Sequence, residues 1–254
     1  MTATQFPKIQ LFVTCIVDSL FPEVGESVVR VMERLGIEVE FPEAQTCCGQ
    51  PGYNAGFRPE ARRLALNTLE VFEGSPAPII VPSGSCAAMV VHGYADLFAD
   101  EPDNLARAKA LAARTYEFSQ FLGDVLGLDP ATVAAGARLD EKVTFHTSCH
   151  LFRGLGVKDA GQKLLAAVPG VEVAPLSGAE QCCGFGGLFA IKHSDISSTM
   201  LDNKLAAVRG TGAATLVGCD MSCLMHLQGG LTRDGSAVRC RHLAEVLAGE
   251  VASA

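Results

Sequence analysis

Eight of the ten cysteines in this 254-residue chain form one pattern that is stated twice. Cys15 is followed by Cys47-Cys48-Gly49 and then Cys86; Cys149 is followed by Cys182-Cys183-Gly184 and then Cys223. The gaps are 31 and 37 residues in the first copy and 32 and 39 in the second. A repeat on this scale marks a duplicated architecture. Soft thiolates select iron–sulfur clusters, zinc or Cu(I). A single zinc ion favours short paired spacings such as Cys-x2-Cys, and the bacterial cubane run spaces its cysteines every third residue. Neither spacing occurs among these eight. Adjacent cysteines splay their thiols apart, which suits a multi-metal cluster better than one tetrahedral ion. Gly49 and Gly184 let the backbone, with its N–H groups, approach such a cluster closely. Cys15, Cys47, Cys48 and Cys86 are therefore candidate ligands of one centre, and Cys149, Cys182, Cys183 and Cys223 of a second. Zinc in one half, a thiol–disulfide redox pair, and buried cysteines with no ligand role are the competing readings.

The other chemistry-bearing residues are less regular. Cys219 precedes Cys223 by four residues and aligns with Pro82, so it is either a spare ligand or a loop thiol. The lone Cys240 reads as a core residue. His146 and His150 flank Cys149, close enough to ligate or to donate to a cluster sulfur, but the first half has Phe12 and Ile16 there. A role shared by both repeats is thereby excluded for these histidines, and His226 after Cys223 is a similar isolated candidate. Gly184-Phe-Gly-Gly187 precedes a helix but lacks the Lys-Ser/Thr of a P-loop and the spacing of a dinucleotide motif, so neither ATP nor NAD is expected.

The elements that must position these residues alternate in type. Ile9–Val13, Ile37–Phe41 and Pro78–Val81 read as strands, each running into a cysteine loop; helical stripes lie between them over about 22–36 and over Arg58–Phe72. A helix over Leu105–Tyr116 and a short one over Phe118–Leu126 follow. The second half repeats the order, with strands at Val143–His146, Val171–Ala174 and Ala214–Val217, and helices at Val157–Val168 and about Ser194–Arg209. Leu243-Ala-Glu-Val-Leu247 echoes Leu122-Gly-Asp-Val-Leu126. The expected fold is α/β in two repeated lobes, 1–127 and 142–254, joined by an Ala/Gly-rich linker over 128–141. Each lobe is a small parallel sheet of βαβ units. Right-handed crossovers put all its cysteine loops at the carboxyl ends of the strands, where open α/β sheets bind ligands.

Composition narrows the function. Apolar residues make up 48%, ample for a core, and the formal net charge of −8 comes without a basic cluster, which excludes nucleic acid as a partner. No basic-then-apolar leader and no apolar run of about 18 residues is present, so the expected location is the cytoplasm, where cysteines are kept reduced and available to metal.

The repeated Cys-Cys-Gly element resembles the cysteine-rich (CCG) domain found in heterodisulfide reductase and in the iron–sulfur subunits of glycolate and glycerol-3-phosphate dehydrogenases. The chain is more closely similar to the lactate-utilisation protein A family. The resemblance rests on Leu11-Phe-Val-Thr-Cys-Ile-Val-Asp18, Cys47-Cys-Gly-Gln-Pro-Gly-Tyr-Asn54, Pro82-Ser-Gly-Ser-Cys86, His146-Thr-Ser-Cys-His150, Cys182-Cys-Gly-Phe-Gly-Gly187 and Ser222-Cys-Leu-Met225. It implies a redox subunit in the oxidation of L-lactate to pyruvate, working with lactate-utilisation proteins B and C. It also implies iron–sulfur clusters, one per lobe, that carry electrons rather than a self-contained catalytic site. One departure stands out. The heterodisulfide reductase motif ends in Cys-x-x-Cys, whereas Ser83 and Asp220 occupy the leading positions here, leaving four aligned cysteines in each half. A four-iron cluster, a smaller cluster or zinc in one lobe all match that number. A zinc-stabilised scaffold and a thiol–disulfide oxidoreductase are the alternatives to electron transfer.

Overall fold

The computed structural model describes residues 5–249. The outer bounds expected for the lobes, residues 1 and 254, lie outside them. Strands β1 (Lys8–Leu11), β2 (Glu38–Glu40), β3 (Ile79–Val81) and β4 (Thr115–Glu117) form one sheet in the order β2-β1-β3-β4. Strands β5 (Lys142–His146), β6 (Glu172–Ala174), β7 (Thr215–Gly218) and β8 (Arg239–His242) form the other, in the order β6-β5-β7-β8. Every pairing is parallel. The register repeats residue for residue: Lys8 pairs with Glu38 as Lys142 does with Glu172, and Ile79 with Thr115 as Leu216 does with Cys240.

Parallel neighbours need crossovers, and the helices that supply them are amphipathic. Pro22–Arg34 starts with proline in its first turn and buries Val24, Val28, Val31 and Met32 at three- and four-residue steps. Arg58–Phe72 buries Ala61, Ala65, Thr68, Leu69 and Phe72 in the same way. The α/β fold in two repeated lobes is the one expected, with one strand more in each lobe. The helix predicted over Leu105–Tyr116 runs instead from Pro102 to Ala112, and Thr115–Glu117 is β4. Thr and Tyr favour a pleated surface, but three residues are too few to show an alternation. β8 is hidden likewise, its four residues being Arg, Cys, Arg and His. The predicted Val157–Val168 helix is confined to Ala160–Ala166, and the Phe118–Leu126 helix widens into a π-turn over Phe121–Val125.

The two lobes share a core. Val24 and Val28 of the first pack in one apolar cluster with Leu243 and Leu247 of the second, where the Pro22–Arg34 helix lies against Leu243–Ala248. Arg34 ties this seam by donating to the carbonyls of Val133 at 2.9 Å and Leu247 at 2.6 Å. Val133, Ala134, Ala137 and Leu139, from the segment between the lobes, are buried in the same cluster. A second cluster, with Phe12, Phe72, Tyr94 and Phe98, covers the other face of the first sheet.

Glu117 and His242 occupy equivalent ends of β4 and β8, and each closes a capping box on the short helix that follows. Glu117 is fully buried, and desolvation pushes its carboxyl up to about 7 against the hydrogen bonds it accepts from Ser119 and Gln120. Its folded pKa lies above the ordinary 4.5, so its contribution to stability is whole below that value and is lost as pH rises through about 7. Glu117→Gln is expected to remove a pH-dependent loss of about 3 kcal/mol across this window. Denaturant titrations of the two proteins at a series of pH values measure the difference.

Candidate metal centre

Each cysteine of the repeat lies beyond the carboxyl end of a strand: Cys15, Cys86, Cys149 and Cys223 at or in the first turns of the next helix, and the Cys-Cys pairs in longer loops. After β1 the chain passes through Thr14, whose φ of 73° and ψ of 149° make it the only described non-glycine residue with positive φ. A β-branched residue there stores about 1–3 kcal/mol of strain, and the next residue, Cys15, opens the Cys15–Leu20 helix. Cys47 and Cys48 lie in the loop after β2. Gly49, with φ of 86°, follows; a Cβ there would approach the Ala61 carbonyl oxygen to 3.1 Å. Gly184 repeats the arrangement, with φ of 93° and a Cβ position 2.7 Å from the Ser197 oxygen. Both sites require glycine. Cys86 lies in the Gly84–Ala88 helix, capped by Ser83, and Cys223 in the Met221–Arg233 helix, capped by Asp220.

All eight cysteines line one cleft between the lobes, about 780 Å³ including its open mouth. Each set is brought together as its spacing predicts, and the two sets face the same space. In the first, a chain of thiol contacts runs Cys15–Cys47–Cys48–Cys86, the last pair 3.2 Å apart. In the second it runs Cys149–Cys182–Cys183–Cys223. Hydrogen bonds from Cys15 and Cys48 hold the Cys47 thiol well below its ordinary range despite burial, and the Gly49 N–H adds to them at 3.4 Å. Cys182 is lowered in the same way by Cys149, Cys183 and the Gly184 N–H, also at 3.4 Å. The thiols that donate are pushed up: Cys15 and Cys48 foremost by Cys47, Cys149 and Cys183 foremost by Cys182. Each set is thus a group of soft donors built around one thiolate, with a backbone N–H already on its sulfur. Four such donors, able to release their protons to a metal, fit a thiolate-ligated centre in each lobe.

The remaining candidates are placed as follows. His146 is buried, neither ring nitrogen has a hydrogen-bond partner, and a ligand atom of its ring lies within 4.8 Å of the Cys183 and Cys223 thiols. Burial and then the Lys204 cation hold its ring down to about 4, so it is neutral. His150 lines the cleft, its Nδ1 3.7 Å from Cys149 Sγ. Cys219 is buried in the shared core, its Sγ beside Gly161, and does not line the cleft. Cys240 is on β8, its thiol pushed up to about 12 by burial. His226 packs on Phe185 at 5.7 Å between ring centroids.

The sequence reading missed the part played by Ser83 and Asp220. They pair in an isolated antiparallel bridge across the lobes. The Asp220 carboxylate accepts from Ser83 Oγ at 3.1 Å and Ser85 N at 2.8 Å in the first lobe, and from Ser222 N at 3.1 Å in its own. Ser83 Oγ in turn accepts from the N–H of Cys86 at 3.2 Å. One buried carboxylate therefore holds the helix starts that carry Cys86 and Cys223. Ser and Asp just before a helix are an N-cap signal, which was available in the sequence.

Comparison with known proteins agrees with this architecture. The cysteine-rich domain family (CCG) matches residues 9–91 and 143–228, so fold and thiol clusters together define a protein with two such domains. Lactate utilization protein A 2 of Bacillus cereus is 45% identical over 241 residues, 95% of this chain and 98% of that one. Lactate utilization protein A 1 of Bacillus mycoides is 46% identical over 94% of this chain and 96% of its own. The chain belongs to the lactate utilization protein A family. Among solved structures, a hypothetical protein from Helicobacter pylori superposes with a TM-score of 0.67 at 8% identity. It covers 97% of this chain, which spans half of that one, and the likeness is one of fold.

Asp220→Ala leaves four donors, Ser83 Oγ, Ser85 N and the N–H and hydroxyl of Ser222, without their acceptor and is expected to cost about 2–4 kcal/mol. It should also weaken metal retention in both lobes, whereas Ser222→Ala should touch the second alone. Denaturation and metal content after dialysis against a chelator read the two effects.

Proposed function

We propose that the protein is an electron-transfer subunit of a system oxidising L-lactate to pyruvate. Cys15, Cys47, Cys48 and Cys86 would hold one iron–sulfur centre, and Cys149, Cys182, Cys183 and Cys223 a second. The observation that carries this reading is the convergence of two four-thiol sets on one cleft. An iron–sulfur centre supplies one-electron chemistry at a potential set by its type, its charge, hydrogen bonds to sulfur and burial. The chain supplies the thiolates and the Gly49 and Gly184 N–H groups that orient Cys47 and Cys182. Apart from the thiols, His150 and Asp220 are the only titratable groups among the described cleft residues, and no lysine or arginine is there to pair with a substrate carboxylate. That lining suits a carrier of electrons better than the place where a hydroxy acid is bound.

The names of its relatives supply the metabolic setting, and the resemblance supplies lactate-utilisation proteins B and C as partners. None of the described helices is long and apolar enough to cross a membrane; in this reading the protein works in the cytoplasm.

Protein purified without oxygen is expected to contain iron and acid-labile sulfide and to give a spin-resonance signal on reduction. Cys48→Ser and Cys183→Ser should each lose about half of both, since each removes a ligand from one set. Zinc without sulfide would contradict electron transfer and favour a scaffold. Metal-free protein with a reversible two-thiol titration would favour thiol–disulfide exchange.

A further inference from the structure

The two lobes repeat their strands and cysteines but not what lies behind the cysteines. Gly184 packs on Ser197 and Met200 as Gly49 packs on Ala61 and Leu64, which aligns Lys204 of the second lobe with Thr68 of the first. Both are 2% exposed. Thr68 sits in a neutral arrangement: its Oγ1 donates to the Leu64 carbonyl and accepts from Tyr94, which also donates to the Cys48 carbonyl, all at 3.0 Å. Lys204 Nζ donates to the carbonyls of Gly178 at 2.5 Å and Ala179 at 3.2 Å. Burial lowers its pKa, and the neighbouring cysteine loop and the exposed Glu180 act against this. No carboxylate lies within ion-pair distance of it among the described residues.

A buried cation needs a counter-charge, because desolvation is otherwise uncompensated. The loop whose Gly178 and Ala179 carbonyls hold Lys204 runs directly into Cys182 and Cys183, so a thiolate-ligated centre held there would supply that counter-charge. Two further differences have the same sign. Arg153, four residues after Cys149, acts to lower its thiol where the first lobe has Ser19, and His146 stands beside Cys183 and Cys223, where the first lobe has Phe12. Positive charge and N–H donors near a thiolate-ligated centre favour its reduced, more negative state, and so raise its potential.

We propose that the two sets hold centres of unequal reduction potential, the second set's being the higher, with buried Lys204 as the residue that sets the difference. This rests on the iron–sulfur reading above. Lys204 neither ligates nor lines the cleft; it tunes by charge.

A potentiometric titration followed by spin resonance tests this on the anaerobically purified protein. Two separate reduction waves are expected. Cys183→Ser should lose the higher wave and Cys48→Ser the lower, an assignment independent of any change at Lys204. Lys204→Met should lower the higher wave by at least about tenfold in its reduction equilibrium, or about 59 mV for one electron. It should leave the lower wave in place, and Lys204→Arg should restore most of the shift. Coincident waves, or loss of the higher wave in Cys48→Ser, would overturn the inference while leaving the iron–sulfur reading intact. So would a Lys204→Met protein that keeps its sulfide and both wild-type potentials. Absence of sulfide and of any wave would overturn the reading itself and the inference with it.

Discussion

The four thiols of each set lie far apart in the sequence and must be gathered at one point, and this constraint shapes the rest of the molecule. Parallel strands solve it. Each strand ends at the same edge of its sheet, so residues as far apart as Cys15 and Cys86 can meet after three strands. The cost of packing the thiols together is offset locally by shared protons, with Cys47 and Cys182 as the acceptors. Close backbone approach is provided by Gly49 and Gly184 and by the strained Thr14. The two duplicated sheets then need only to have their cysteine loops brought together. The continuous core from Val24 and Val28 to Leu243 and Leu247 joins the lobes that do this.

Duplication alone would give two equal sites, and the structure departs from equality. At the third cysteine loop, where the resemblance to heterodisulfide reductase would place an additional cysteine, Ser83 and Asp220 are bound to each other. Their side chains serve the joint between lobes. Behind the thiols, Thr68 and Tyr94 in one lobe are replaced by Lys204 and Leu231 in the other, so one scaffold presents two electrostatic environments. The joint lines the cleft beside the cysteines, whereas Lys204 lies behind them.

Much of this was legible in the sequence, for physical reasons that can be named. The strands with apolar runs, β1, β3, β5 and β7, announce themselves because they are buried on both faces. β4 and β8 do not, since Thr115–Glu117 and Arg239–His242 are short and carry polar side chains that cap helices or pair with neighbours. The grouping of the cysteines follows from strand order, but their shared cleft depends on packing between helices more than 200 residues apart in sequence, such as Pro22–Arg34 and Leu243–Ala248. No local pattern encodes that. Lys204 was readable in principle: it falls on the stripe of Ser197, Leu201, Leu205 and Val208, where a charge is out of place.

The central claim, that each four-thiol set is a separate iron centre and that both open on one cleft, is tested most directly by anomalous diffraction at the iron edge. Crystals grown without oxygen should show two iron peaks, one among Cys15, Cys47, Cys48 and Cys86 and one among Cys149, Cys182, Cys183 and Cys223. No iron at either set, or iron bound away from these thiols, would contradict it.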